Sequence, residues 1–263
     1  MFKVGIKIED FILVFYRRES LYDGPPISRM PVCLKHSKKT CDFYIDSQLE
    51  MLKKTINQLN FFYPKSKIHL MTNVKDNLVD NVVYHRIDFE SNNTAKFYIY
   101  SLLDKPAMYL DLDIIMRSPF NICHLPMENN FNFYSMSFIG DLQEMSKKTL
   151  PVKTKEVFNA GIAWIPRPSK DITNELIDIN NSYFSDVDYM LEHGKWPCVD
   201  EYALAVYIEK HKIKMNLVDK INKLRHQIKK EDIKKYQTIH YNGIIGKELY
   251  DKEFSEINSA PSG

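Results

Sequence analysis

The stretch Ala107-Met-Tyr-Leu-Asp-Leu-Asp-Ile-Ile-Met116 constrains this chain more than any other, because two carboxylates interrupt an otherwise apolar run of strand length. A parallel strand covered on both faces of its sheet reads as such a near-continuous run. On an extended chain residues i and i+2 point to the same side, so Asp111 and Asp113 face one point. Charges at the carboxyl end of a strand in an open α/β sheet lie where such sheets bind ligands. Two hard oxygen donors on one side suit Mg²⁺ or Mn²⁺, ions that often share their coordination with a substrate's phosphates. The bare Asp-x-Asp pattern is weak, since chance supplies about one copy in a chain this rich in Asp. A second copy, Asp186-Val187-Asp188, sits among polar and aromatic residues and reads as a solvated loop. The apolar flanks set the first copy apart.

The segments before it alternate in type. Phe11-Ile-Leu-Val-Phe-Tyr16 has a buried-strand pattern and stops at Arg17 and Arg18. Residues 17–42 carry Gly24-Pro25-Pro26, Pro31 and scattered lysines and read as a loop insertion, with Val32–Lys35 an alternative first strand. Between Ile45 and Leu59 the residues Leu49, Leu52, Ile56 and Leu59 recur at helical spacing. Ile68–Thr72 and Asn81–Ile87 read as strands, and Thr94–Leu103 as a helix feeding the Asp-x-Asp strand. This rhythm predicts an α/β fold, a single Rossmann-like and mostly parallel sheet with helices on both faces. Further on, Val157–Ile165 places β-rich flanks around a small-residue centre, and Asn174–Phe184 and Asp200–Lys210 read as helices. Residues 1–253 are read as one domain, followed by a small, polar, flexible tail at 254–263.

Composition narrows the partners. A chain of 263 residues is long enough for one large α/β domain, and a net charge of +2 gives no argument for nucleic acid. Residues 210–235 hold ten Lys/Arg against three Asp/Glu. They read as a basic helical segment, solvated or in peripheral contact with an anionic membrane or acidic partner. No apolar run approaches the roughly 18 residues that span a bilayer, so the expected compartment is the cytoplasm. Cys33, Cys41, Cys123 and Cys198 show no paired spacing and read as reduced, buried thiols; Cys33, His36 and Cys41 lack the second ligand pair a zinc site needs.

Four further segments turn the Asp-x-Asp strand into a pattern. Lys96 lies on the segment feeding that strand, and Asn159-Ala160-Gly161 sets an amide beside residues small enough to admit a ligand close to the backbone. Trp196-Pro-Cys-Val-Asp200-Glu201 puts two acids at a helix start, and His240-Tyr241-Asn242-Gly243 with Gly246-Lys247 offers an imidazole, a permissive turn and a cation. Singly, each has an ordinary reading: a solvated lysine, a turn residue, a helix cap, a structural histidine.

In this order the segments resemble the GT-A-fold glycosyltransferases, and most closely glycosyltransferase family 8, the class of glycogenin, galactinol synthase and the lipopolysaccharide galactosyltransferases. The resemblance runs from about Phe11 to Lys247. Lys96 matches the family's basic residue before the strand, and Tyr109–Asp113 its apolar strand ending in Asp-x-Asp. Phe158–Gly161 matches its Phe-Asn-Ala-Gly, Asp200-Glu201 its Asp-Gln pair, and His240–Gly243 part of its His-Phe/Tyr-x-Gly-x-x-Lys-Pro. Two departures stand out. Lys247 falls one residue late with no Pro-Trp behind it, and Glu201 replaces the glutamine.

The resemblance implies metal-dependent transfer of a sugar from a nucleotide donor, UDP-linked, to an unassigned acceptor, with retention of configuration. It assigns Asp111, Asp113 and His240 to Mn²⁺ (or Mg²⁺). Donor contacts fall to Tyr16, Lys96, Asp111, Asn159, Ala160, Gly161, Gly243 and Lys247, and the chemistry to Asp200 and Glu201. Two rivals remain in view. One is a non-catalytic module binding a nucleotide sugar or another partner. The other is a haloacid-dehalogenase-like phosphatase, whose Asp-x-Asp lies near the N-terminus and runs on to Thr or Val where Ile115 stands here.

Overall fold

The structure, a computed structural model, describes residues 8–16, 38–88, 95–120, 131–133, 138–153, 156–158, 160–186, 189, 199–213, 215–217, 222–241 and 249–255. Strand β1 (Asp10–Phe15) forms as its apolar run predicts, with all six residues buried. Its side chains divide by alternation: Ile12 and Val14 enter one core, Phe11, Leu13 and Phe15 the other. Such a strand must be covered on both faces, and it is. Helix α1 (Lys38–Phe62) buries Leu52, Ile56 and Leu59 against the second core. Helices α2 (Lys170–Tyr183) and α3 (Val199–Lys210) bring Leu176, Ile179, Tyr202 and Val206 to the first.

Among the described residues the central sheet has seven strands in the order β10 (Met215–Leu217), β6 (Phe131–Phe133), β9 (Ile162–Ile165), β4 (Ala107–Leu110), β1, β2 (Lys67–Thr72), β3 (Val83–Arg86). Only β9 runs antiparallel to its neighbours. A small sheet of β11 (Asn222–Leu224), β12 (Thr238–His240) and β5 (Ile114–Met116) flanks it, and β7 (Phe138–Asp141) pairs with β8 (Glu156–Phe158). The expected mostly parallel sheet with helices on both faces is thus the observed one.

Several boundaries differ from expectation. Helix α1 starts at Lys38, so the end of the supposed 17–42 loop is helical; residues 17–37, with the alternative strand Val32–Lys35, lie outside the described residues. The predicted helix Thr94–Leu103 is a 3₁₀ helix over Lys96–Tyr100. Its Phe-Tyr-Ile-Tyr sequence is aromatic and β-branched, a poor composition for an extended α-helix. The run Ala107–Met116 is not one strand, because it breaks at Asp111–Asp113 and continues as β5 in the other sheet. The two ends of Val157–Ile165 likewise belong to different sheets, as β8 and β9.

The basic segment 210–235 is corrected from helix to strands β10 and β11 and two 3₁₀ turns, Arg225–Gln227 and Lys230–Lys235. Helical spacing would set Lys210 over Lys214 and Lys230 over Lys234, a like-charge repulsion; in strands, the backbone instead pairs with β6 and β12. The predicted tail begins too early, since 249–255 is helical and Phe254 stacks on Tyr250 at 5.6 Å; residues 256–263 lie outside the described residues. Among the described residues no helix is long and apolar enough to cross a membrane.

A row of polar groups runs across β1, β2 and β3. Lys105 Nζ lies 2.7 Å from Asp10 Oδ2, His69 Nε2 lies 2.8 Å from Asp10 Oδ1, and His69 Nδ1 lies 2.9 Å from His85 Nε2. Burial works against the charge of Asp10, but Lys105 and His69 outweigh it and hold the carboxyl below its usual range. Burial and the neighbouring His69 lower His85. Both groups therefore bind fewer protons folded than unfolded. Their stabilising contribution is present at neutral pH and is lost as pH falls, first through the histidine range and then the carboxylate range. Asp10→Asn is expected to cost about 2 kcal/mol at pH 7 and to shrink the acid-side loss. Urea unfolding at pH 7 and pH 4 measures both, and an undiminished loss of stability between those pH values in the mutant would exclude this role.

Candidate functional site

The break at Asp111–Asp113 is held on every side by backbone and side-chain hydrogen bonds. Asp111 N donates to Gly161 O on the β9 side (2.7 Å), and Asp113 O accepts from Tyr241 N beyond β12 (2.8 Å). Thr55 Oγ1 of α1 donates to Leu112 O (3.0 Å). The buried amide of Gln58 straddles Met116, donating to its carbonyl at 3.0 Å and accepting its N–H at 3.3 Å. One glutamine side chain thereby stands in for a neighbouring strand beside β5, which buried backbone groups require. The turn re-aims the chain while keeping both carboxylates on one side.

His240, 2% exposed, ends β12 opposite Ile114, and this antiparallel register delivers its ring to the turn. Its Nε2 lies 3.0 Å from Asp113 Oδ1 and 3.7 Å from Asp111 Oδ2. One donor atom from each of Asp111, Asp113 and His240 lies within 4.8 Å of the others, a group that could hold a metal ion. Two carboxylates and an imidazole make a hard, mixed O/N donor set suited to Mn²⁺ or Mg²⁺. The space depends on Gly161: a Cβ there would meet His240 Cε1 at 2.5 Å and Asp111 Oδ2 and His240 Nδ1 at 2.9 Å. The small residue expected to admit a ligand does so by leaving room for the histidine and the carboxylate.

A ring of charge surrounds this group. Lys96 Nζ sits 3.1 Å from Asp111 Oδ1 and 3.5 Å from Asp200 Oδ2. Burial disfavours its charge, yet Asp111 and Asp200 outweigh that cost, and Lys96 is held well above the ordinary lysine value. Asp200 lies in the first turn of α3 rather than before it; burial raises its pKa, partly offset by Lys96. Glu201, 7% exposed, accepts the Ala160 N–H through Oε1 at 2.9 Å. Burial and then the charge of Asp200 push its carboxyl up to about 8. The site therefore gathers a fixed cation, a candidate metal group and two buried acids whose carboxyls are both raised.

The structure thus brings together Lys96, Ala160, Gly161, Asp200, Glu201 and the Asp–Asp–His group. Tyr16 is half-buried just past β1, packed against the first core. Asn159, Gly243 and Lys247 lie outside the described residues, as do Cys33, Cys123, Cys198 and the side chain of Cys41. One participant was not anticipated. The hydroxyl of Tyr109 donates to Asp111 Oδ1. Its signal was present in the sequence, because Tyr109 and Asp111 are i and i+2 on one strand side.

No protein-family model and no curated protein matches the chain. Solved structures do. An active-site mutant of LgtC, with glutamate in place of a glutamine, aligns over 96% of this chain and 98% of its own, at 12% identity and a TM-score of 0.54. The glycosyltransferase GlyE of Streptococcus pneumoniae TIGR4 aligns over 96% of this chain at 13% identity and a TM-score of 0.52. This chain spans 62% of GlyE's length. The fold is GT-A. In a GT-A frame the Asp111–Asp113–His240 group lies at the carboxyl end of β4, beside β1, where an open α/β sheet receives its ligand.

Proposed function

We propose that this GT-A chain is a metal-dependent glycosyltransferase of the family 8 type, moving a sugar from a UDP-linked donor to an acceptor with retention of configuration. One observation carries the reading. Two carboxylates from the turn that links the two sheets and a histidine from the smaller sheet converge at the carboxyl end of the central strand, with a buried lysine and two buried acids around them. A phosphatase using Asp111 as nucleophile leaves His240, Lys96 and the acids of α3 without a task.

Asp111, Asp113 and His240 would hold Mn²⁺ or Mg²⁺, which when bound neutralises charge on a diphosphate leaving group. Lys96 adds a fixed positive charge beside the same carboxylates, stabilising negative charge as it develops in a water-poor site. Asp200 and Asn159 are assigned to hydrogen bonds with sugar hydroxyls, Tyr16 to the base, and Gly243 and Lys247 to the diphosphate. Glu201 is assigned to the reacting carbon. With its proton held to about pH 8, it acts as a nucleophile or as a stabiliser of positive charge only in the fraction that has ionised. The exchange of an active-site glutamine for glutamate in LgtC supports a glutamate being accommodated in such a site.

The test is a UDP-sugar hydrolysis and transfer assay with and without Mn²⁺. Mn²⁺-dependent release of UDP supports the transferase. Phosphate-ester cleavage without sugar release would replace it with the phosphatase, and Mn²⁺-dependent binding without turnover with a binding module.

A further inference from the structure

Asp111 has two oxygens in different surroundings. Oδ1 accepts the Tyr109 hydroxyl and lies 3.1 Å from Lys96 Nζ. Oδ2 faces the other way, 3.7 Å from His240 Nε2 and into the space that the missing Cβ of Gly161 leaves. The Tyr109 ring is locked in place. It is 2% exposed and lies on β4, in register with Ile12 of β1 on one side and Ala163 of β9 on the other. Small neighbours at Ala160 and Ala163 share its cluster. A phenylalanine would fill this position as well; the one thing tyrosine adds is a hydroxyl, and that hydroxyl lands on one oxygen of a candidate metal ligand.

We propose that Tyr109 is a positioning residue of the metal centre, its hydroxyl holding Asp111 Oδ1 so that Oδ2 is turned to the ion shared with Asp113 and His240. The inference rests on the metal reading of that group. Lys96 cannot replace the tyrosine in this task. It lies 3.1 Å from Oδ1 and 3.4 Å from Oδ2 of Asp111, so it attracts the carboxylate without choosing an oxygen, and Asp200 competes for it. A phenol fixed to the sheet chooses one. Outer partners of this kind orient metal-binding carboxylates, and their loss typically weakens metal affinity about 10–100-fold.

The experiment measures Mn²⁺ binding to the full chain by the disappearance of the free-ion electron paramagnetic resonance signal, for wild type, Tyr109→Phe and Asp113→Asn. Thermal unfolding without metal runs in parallel. Tyr109→Phe is expected to bind Mn²⁺ about 10–100-fold more weakly while keeping the metal-free melting temperature within a few degrees. Its residual Mn²⁺ complex is expected to give an altered spectrum, a change that a packing role does not produce. Wild-type affinity in Tyr109→Phe beside lost affinity in Asp113→Asn overturns the positioning role and leaves the metal site standing. No Mn²⁺ binding by wild type overturns both. A collapse of metal-free stability in Tyr109→Phe overturns the proposal in favour of a structural role.

Discussion

Asp113→Asn is expected to leave the fold intact and to abolish Mn²⁺-dependent binding of UDP. The backbone carbonyl of Asp113 accepts the Tyr241 N–H at 2.8 Å, and asparagine keeps that bond. The substitution also removes one of two carboxylates that converge on the same point with His240, so metal-free stability is not expected to fall. What it removes is an anionic oxygen 3.0 Å from His240 Nε2. An amide offers a neutral, weaker donor there and can turn its NH₂ toward the ring. Loss of a direct ligand is expected to exceed the roughly 10–100-fold penalty of an outer-shell change. Isothermal titration with UDP and Mn²⁺ reads it directly; unchanged affinity in the mutant would exclude Asp113 from the metal group and with it the proposed donor site.

Glu201→Gln is expected to lower turnover at least ~10²-fold with little change in donor affinity, the pattern of a group acting on the reacting centre rather than in ground-state binding. The substitution keeps shape and keeps the carbonyl oxygen that accepts the Ala160 N–H, so binding-site geometry is preserved. The pH dependence sharpens the test. Wild-type kcat/KM is expected to rise toward about pH 8 as Glu201 ionises, since kcat/KM reports groups of the free enzyme; the glutamine variant loses this limb. Stability moves the other way. Glu201 holds its proton more tightly folded than unfolded, so its contribution is fully present below the ordinary glutamate range and is lost as pH rises through about 8. Glu201→Gln is therefore expected to unfold at a higher temperature than wild type above that pH. Full activity and an unaltered pH profile in the variant would remove Glu201 from the chemistry and leave Asp200 as the remaining acid there.

How legible was all this before folding? Apolar runs and helical spacing place β1, β2, α2 and α3 to within a few residues and find the body of α1 but not its first seven residues, because burial on two faces or along one stripe writes a periodic pattern into the chain. The strands within 210–235 are not legible locally, because there the outcome turns on partners elsewhere in the chain. Met215 and Leu217 pair with β6, and Asn222–Leu224 with β12, contacts that no local window contains. For the site, same-side spacing exposed Asp111 and Asp113 as a pair. It gave no reason for Tyr109 to bond one particular oxygen, although the two lie on the same strand side.

The sequence by itself determined that a parallel, doubly covered strand carries two carboxylates at its end, since hydrophobic alternation and side-chain direction are properties of the local chain. Only the tertiary structure decided that this strand breaks at the two acids and enters a second sheet, with Gly161, Thr55 and Tyr241 supplying the partners that the break requires. It alone decided that β12 pairs against β5 and so brings His240 within 3.0 Å of Asp113, and that Lys96 lies between Asp111 and Asp200. The physical reason is the same in each case. Periodicity records how much of a residue is buried, whereas the meeting of distant groups depends on strand register and sheet order, which are set by the packing of the whole chain.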